Sequence, residues 1–399
     1  MPYVLSDKVL PEFAAWADEL AAIRHEVHKT PELGFDTERT VSRILKLLGE
    51  WGVENPASTT VPGGVIAVIV GERPGATIAF RADIDALPMD DKSGKPWASL
   101  IPGHAHACGH DGHQTWLLGT VRYLSLHRDF PGRVVAIFQP AEENVKGADA
   151  MIASGIFEKY GIREIYGAHD EPNLPKGVFG FHPGPLQASS ANFWITVKGA
   201  GTHGGRPHLG TDPIPAGALL VSALQTIVSR KVDPIEPAVL SICSINAGRF
   251  EAPNVIPGEL TLSGTIRTYS DEVQKQIITL LREMCADVAK SEGCTVDVKI
   301  ENGAKSVLND PERTKKAAAV AANLFGPEHV ADLKPFMSSE DFGSYQRIVP
   351  GVMMRVGIRD ESHVSGVHSP NFDFNDEVLP AACTLFATII RTRLEELAG

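Results

Sequence analysis

Cysteine is scarce and unpaired in this chain: Cys108, Cys243, Cys285, Cys294 and Cys383 are an odd, scattered set of five in 399 residues. That excludes a disulfide framework and fits a reducing compartment. No run approaches the ~18 apolar residues of a membrane span, and the opening MPYVLSDKVLPEF lacks a basic run leading into an apolar segment. A cytoplasmic protein with no membrane partner is expected. Positive charge is in deficit, 37 Lys and Arg against 49 Asp and Glu for a net −12, which argues against nucleic acid or an anionic surface as the main partner. The Gly-Lys-Ser/Thr ending of a P-loop, the spacing of a dinucleotide fingerprint and the Cys-x-x-Cys of a zinc deaminase are absent too. With 43% hydrophobic and 22% charged residues there is little room for disorder, and the length favours two domains.

What the chain does have is a dense cluster of metal-binding side chains, HACGHDGH at His106 to His113. Three imidazoles and a thiol in eight residues are rare by chance, although any one of these histidines alone is better read as a packing or solvated residue. In an extended segment Cys108 and His110 would face one side. The surrounding pattern alternates strand and helix: helical periodicity over 11–52 with a break at 30–34, β-rich runs at 65–70 (VIAVIV), 77–82 (TIAFRA), 134–138 (VVAIF) and 164–168 (EIYGA), and helices after His113 and over 148–157. Polar residues stand at the C-terminal ends of these strands, Asp83 and Asp85, Glu142 and Glu143, then His169. An open α/β sheet places its ligands at that edge. A single acidic pair there would carry little weight, since loops are solvated; the repetition is the signal.

The character changes near Ser189. Strand at 192–198, helix at 216–228, strands at 239–245 and 259–267, helix at 270–290 and strand at 295–300 follow in the order β-α-β-β-α-β, the ferredoxin-like arrangement. So self-contained a unit reads as a second domain, 189–302, inserted into a first made of 1–188 and 303–399. The first domain resumes with a helix at 312–324, a strand at 352–356 (VMMRV), a loop carrying His363 and His368, and a closing helix from about Glu377. The fold class is α/β, a mixed sheet with helices on both faces.

A hydrolytic metal site needs ligands that leave a position open for water, and a base that is not itself a ligand. The pair Glu142-Glu143 can supply one of each, because neighbours in extended backbone point opposite ways; we assign Glu143 as ligand and Glu142 as base. A donor set of thiolate, imidazole and carboxylate suits Zn, Mn, Co or Ni better than Mg or Ca. In the second domain His203 sits in the Gly-rich turn GAGTHGG and Asn254 in PNVIP. Both are candidate donors to a developing oxyanion, and Arg267 a candidate clamp for a substrate carboxylate. Each alone has a plainer reading, as a turn residue, a cap and a solvated strand end.

In order along the chain, HEVH at His25 to His28, PELG at Pro31 to Gly34, HACGHDGH, PAEE at Pro140 to Glu143, AH at Ala168-His169, GTHGGRPH at Gly201 to His208, PNVIP at Pro253 to Pro257, SSEDF at Ser338 to Phe342, His368 and FND at Phe374 to Asp376 resemble a known family over nearly the whole length. It is the metal-dependent amidohydrolases that include hippurate hydrolase, N-acyl-amino-acid aminoacylases and plant auxin-conjugate hydrolases, a branch of the aminoacylase and carboxypeptidase superfamily. The resemblance implies a zinc-peptidase-like catalytic domain with an inserted ferredoxin-like lid, and two divalent ions held by Cys108, His110, Glu143, His169 and His368, with Cys108 bridging. It implies Glu142 as general acid/base and Asp85 in support, Asp83 being a weaker candidate. His203 and Asn254 match lid residues that meet the scissile carbonyl, in some relatives from the partner subunit of a homodimer, and Arg267 matches an arginine for the substrate carboxylate. His106 and His113 are left as supporting residues. The implied activity is hydrolysis of an N-acyl or N-aroyl amino acid; a dipeptidase or carboxypeptidase, and a non-catalytic binding protein on the same scaffold, are the alternatives. One departure stands out: Asp170 follows His169 where many relatives have a neutral residue, either shifting metal preference, favouring a substrate other than a simple anionic N-acyl amino acid, or pointing harmlessly into solvent.

Overall fold

Runs of β-branched and apolar residues build the first sheet. Its long strands are Val65–Val70, Arg73–Asp83, Pro131–Gln139, Ile162–Pro175 and Gly351–Arg359. On one side Phe80, Phe138 and Tyr166 join a core with Leu20, Trp116 and Phe386 from the helices Ala17–His28, His110–Leu126 and Leu379–Ala398. The alternate residues Ile137, Ile165 and Met353 are as fully buried on the other side, the burial of both faces expected of a sheet with helices over each. These are features of a computed structural model that describes residues 3–53, 57–58 and 61–399. Among the described residues no helix is long and apolar enough to cross a membrane.

The strand order is 57–58, 65–70, 131–139, 73–83, 162–175, 351–359, 179–181, 330–332. Four neighbours in it run parallel, Pro131–Gln139, Arg73–Asp83, Ile162–Pro175 and Gly351–Arg359. Their C-terminal ends therefore gather Asp83, Gln139 and His169 on one edge. The strand carrying His169 is longer than the run EIYGA suggests: the ladder continues through Arg355↔His169 and Gly357↔Glu171, so His169 and Asp170 lie inside it. Other boundaries also differ from the sequence pattern. The first helical stretch is three helices, Pro11–Ala15, Ala17–His28 and Glu38–Glu50, and the stretch at 148–157 is two, Gly147–Ala153 and Ile156–Tyr160.

By contact the chain divides into two units, Met1–Leu186 with Leu308–Pro335 and Asp341–Gly399, and Gln187–Val307 with Phe336–Glu340. The second holds a four-stranded antiparallel sheet in the order Ala238–Ala247, Glu259–Thr268, Ser189–Lys198, Thr295–Asn302. With the helices Pro213–Arg230 and Asp271–Ser291 this is the ferredoxin-like β-α-β-β-α-β unit. Phe193, Ile195 and Val197 pack with Leu220, Leu224, Ile277 and Leu281 in its core. Phe336–Glu340 joins this unit because the Phe336 carbonyl accepts from the Ala188 N–H (3.2 Å) and the Tyr269 hydroxyl (3.1 Å).

Candidate metal centre

HACGHDGH is not extended, as simple alternation would have it, but a turn that runs into the helix His110–Leu126. Gly109 caps that helix in the left-handed region, φ 82°, and a Cβ there would fall 2.2 Å from Asp170 Oδ1. At Gly112 a Cβ would come within 2.4 Å of the Phe374 ring. These two glycines let the first turn of the helix press against the sheet, which buries Cys108 and His110 and brings them to the strand ends.

Glu142 and Glu143 are not extended either. After the strand Pro131–Gln139 the chain passes through Ala141 at φ 55° into a turn. The Asp85 carboxylate organises that turn, accepting the N–H of Glu142 on Oδ1 (3.0 Å) and of Glu143 on Oδ2 (3.2 Å). Asp85 also accepts, on its backbone carbonyl, the Nδ1–H of His110 at 2.9 Å. This holds His110 in the tautomer whose Nε2 lone pair is available, as the Nδ1 bond to the Asp170 carbonyl does for His169 (2.8 Å). His368 sits at φ 61°, a sparsely populated region for a non-glycine residue, held by its N–H to the Ala107 carbonyl at 2.7 Å.

The consequence is a set of overlapping groups whose ligand atoms lie within 4.8 Å of one another: Cys108, His110 and His169; Cys108, Glu143 and His368; His110, Glu142 and Glu143. The first two share the Cys108 thiol. Cys108 Sγ lies 3.5 Å from His169 Nε2, Glu143 Oε1 lies 3.5 Å from His368 Nε2, and His110 Nε2 is 3.9 Å from Glu142 Oε2 and from Glu143 Oε1. Donors about 2.0–2.3 Å from one tetrahedral ion stand roughly 3.3–3.7 Å apart, so the two 3.5 Å separations fit a divalent cation and the 3.9 Å ones lie just beyond that range. Two of the buried atoms, His110 Nε2 and Glu143 Oε1, have no hydrogen-bond partner among the described residues. A buried acceptor left unpaired costs about 1–3 kcal/mol, and a cation would satisfy both. Burial, with Glu143 nearby, lifts the Cys108 thiol well above its ordinary pKa. Burial also raises Glu143. Against the opposing effect of burial, Asp83 and the thiol raise His110 well above the usual imidazole value. Burial thus favours the proton-bearing forms of Cys108 and Glu143, and a cation would reverse that by supplying positive charge beside them.

The remaining sequence candidates lie in the second unit. His203 and Asn254 are adjacent there, since Val255 pairs with His203 and the Gly204 N–H donates to the Asn254 carbonyl at 2.7 Å. The Gly205 N–H donates to His203 Nδ1 (3.0 Å), leaving Nε2–H as the exposed donor. Arg267, half-buried on the strand Glu259–Thr268, bonds the Thr265 hydroxyl and the Ile266 carbonyl (3.0 Å). Asp170 is 1% exposed, which rules out the solvated reading of that departure. Sequence reasoning passed over Arg355. It stands beside His169 in the parallel register and is buried, and burial together with its charge lowers the His169 pKa. The available signal was an arginine inside the otherwise apolar strand VMMRV.

Residues 79–392 match the model of peptidase family M20/M25/M40. The chain is 35% identical to an N-acetylcysteine deacetylase of Bacillus subtilis, covering 96% of this chain and 99% of that protein. It is likewise 35% identical to a hippurate hydrolase of Campylobacter jejuni, over 96% and 98%. In structure it resembles the Bacillus subtilis YXEP protein, described as a dinuclear metal binding peptidase of the M20 family, with a TM-score of 0.84 and 33% identity over 96% of this chain and 99% of that one. The family match over residues 79–392, with 35% identity over nearly the whole of both chains, places this protein in peptidase family M20/M25/M40, to which it belongs.

Proposed function

We propose that this enzyme hydrolyses the amide bond of N-acyl or N-aroyl amino acids, releasing a carboxylic acid and a free amino acid. Cys108, His110, Glu143, His169 and His368 would hold two divalent cations, and Zn, Mn, Co or Ni would suit this mixed donor set. Such ions supply a polarised carbonyl and a water acidic enough to attack it near neutral pH. Glu142 takes the proton of the attacking water on its carboxylate and passes it to the leaving nitrogen. Asp85 holds Glu142 and Glu143 by their backbone N–H groups. We assign His203 and Asn254 as donors to the oxygen of the attacked carbonyl, and Arg267 as the partner of the substrate carboxylate.

The observation that carries this reading is Glu142 itself, a second carboxylate set 3.9 Å from His110 Nε2 beside a ligand set already furnished with Glu143. Metal storage alone has no use for it. Relatives named for N-acetylcysteine deacetylation and hippurate hydrolysis support the substrate class. The deciding experiment is a panel of N-acyl and N-aroyl amino acids set against free dipeptides, run with Zn, Mn, Co and Ni and with a chelator control. Turnover of the acylated compounds that a chelator abolishes and a cation restores is expected. Preference for free dipeptides would move the enzyme to the peptidases of the family.

Five free cysteines support a cytoplasmic setting. Exposed apolar residues in the second unit, Ile214 and Leu219 on the helix Pro213–Arg230 and Ile245 on the edge strand Ala238–Ala247, support a homodimer formed through it.

A further inference from the structure

A chain of buried charged groups ends beneath His169. Asp341 Oδ1 accepts from Arg81 Nη2 (2.8 Å), and Arg81 Nη1 donates to Asp83 Oδ2 (2.7 Å). Asp83 Oδ1 lies 2.6 Å from His113 Nδ1, and His113 Nε2 meets Asp170 twice, 3.0 Å from its backbone N–H and 2.9 Å from its Oδ1. That same oxygen is 3.2 Å from His169 Nδ1, whose hydrogen the Asp170 carbonyl accepts. Arg81, Asp83, His113, Asp170 and Asp341 are each no more than 2% exposed. The far end is anchored by the Ala148 N–H and the Gln139 amide, both on Asp341 Oδ2 at 2.9 Å.

Such a network is a poor device for stability. Desolvating its members costs several kcal/mol per ion, and well-packed apolar side chains of similar volume would serve the core as well or better. Its geometry has a different use. An imidazole whose one ring N–H is held by a carbonyl, with a carboxylate alongside it, is a better-aimed and more basic ligand through the other nitrogen, and His169 Nε2 faces the Cys108 sulfur at 3.5 Å. Among the ligand groups His169 occurs with Cys108 and His110, whereas His368 occurs with Cys108 and Glu143.

We propose that Asp83, His113 and Asp170, anchored on Arg81 and Asp341, form a positioning chain for His169 that sets the affinity of one of the two cation positions and leaves the other alone. This rests on the reading that cations bind at both groups. It gives Asp170 a role as the carboxylate immediately behind a ligand. It also gives a role to His113, the last histidine of HACGHDGH, which is buried with its ring against those of His110 and His169.

The test is a Co(II) titration of metal-free Asp170→Asn and wild-type protein, with competing chelator, thiolate-to-cobalt absorption and metal-free melting temperature recorded together. Wild type is expected to take two equivalents. In the variant one equivalent keeps its affinity, the other weakens roughly 10- to 100-fold, the thiolate band persists and the melting temperature stays near that of wild type. Should Asp170→Asn fail to fold, His113→Gln is read the same way. Unchanged affinities would overturn the chain, as would equal weakening of both positions alongside a fall in melting temperature. A wild type that takes a single equivalent would sink the two-cation reading instead; the chain then stands if Asp170→Asn weakens that equivalent and falls if it does not.

Discussion

At the scale of single residues the sharpest division of labour is between neighbours, Glu142 and Glu143, whose N–H groups share one carboxylate. Glu142→Gln keeps the size and removes the proton acceptor. Turnover is expected to fall roughly 10²- to 10⁴-fold while metal content, measured by mass spectrometry after equilibrium dialysis, is unchanged. Near-normal turnover would reject Glu142 as the base. Cys108 makes a different prediction, because it belongs to both the His169 and the His368 groups. Cys108→Ala should lose both ions in the same dialysis and His368→Ala only one; retention of two ions by Cys108→Ala would show that the sulfur is not shared. The residue types were legible in the sequence. The reason each points where it does was not: neighbours in a strand diverge, but these glutamates sit in a turn entered through Ala141 at φ 55°.

At the scale of elements, the start of the helix His110–Leu126 is fixed by backbone space. Gly109→Ala adds a Cβ 2.2 Å from Asp170 Oδ1 on a residue at φ 82°. It should cost at least about 2 kcal/mol in denaturant unfolding of the metal-free protein, and a cost near zero would mean that Asp170 does not lie over that turn. The helix Ala17–His28 carries a second consequence. Burial alone would lower the pKa of His28, but the Asp111 carboxylate at 2.8 Å and Asp91 at 3.1 Å raise it to about 9. A group raised in the folded state stabilises fully below its unfolded value of about 6.5, and that contribution is lost as pH climbs through the folded one. Metal-free protein should therefore lose on the order of 2–3 kcal/mol of stability between pH 6.5 and 9.5. The part due to His28 should vanish in His28→Gln, and a variant whose stability fell as steeply as wild type would remove His28 as the cause. The periodicity of HEVH revealed a helix, but its two carboxylate partners come from loop and helix positions far along the chain.

For the whole molecule, the homodimer proposal has a direct readout. Light scattering should give twice the chain mass, and Leu219→Arg combined with Ile245→Lys should give the monomer, since both sites are about half exposed in the isolated chain. The same variant locates His203. If that histidine serves the partner's centre, the monomer loses turnover while keeping its metal; if it serves its own, turnover survives. Wild-type protein that scatters as a monomer would reject the dimer.

The sequence by itself determined the classes of structure and chemistry. Apolar runs of strand length alternating with helical periodicity pointed to an α/β sheet, the β-α-β-β-α-β order to a ferredoxin-like unit, and the thiol and imidazoles of HACGHDGH with carboxylates and an imidazole at successive strand ends to a metal centre, because these are properties of local composition and spacing. Only the tertiary structure decided which of those side chains share an ion-sized space and which stand behind them. HACGHDGH, read locally, is a nearly complete site. Folded, it gives Cys108 and His110 to the ligand groups with His169 and His368, while His113 packs behind His169, between Asp83 and Asp170. The physical reason is that parallel strands and a helix start packed on glycine bring together residues as much as 260 positions apart, and no local pattern records which of them will touch.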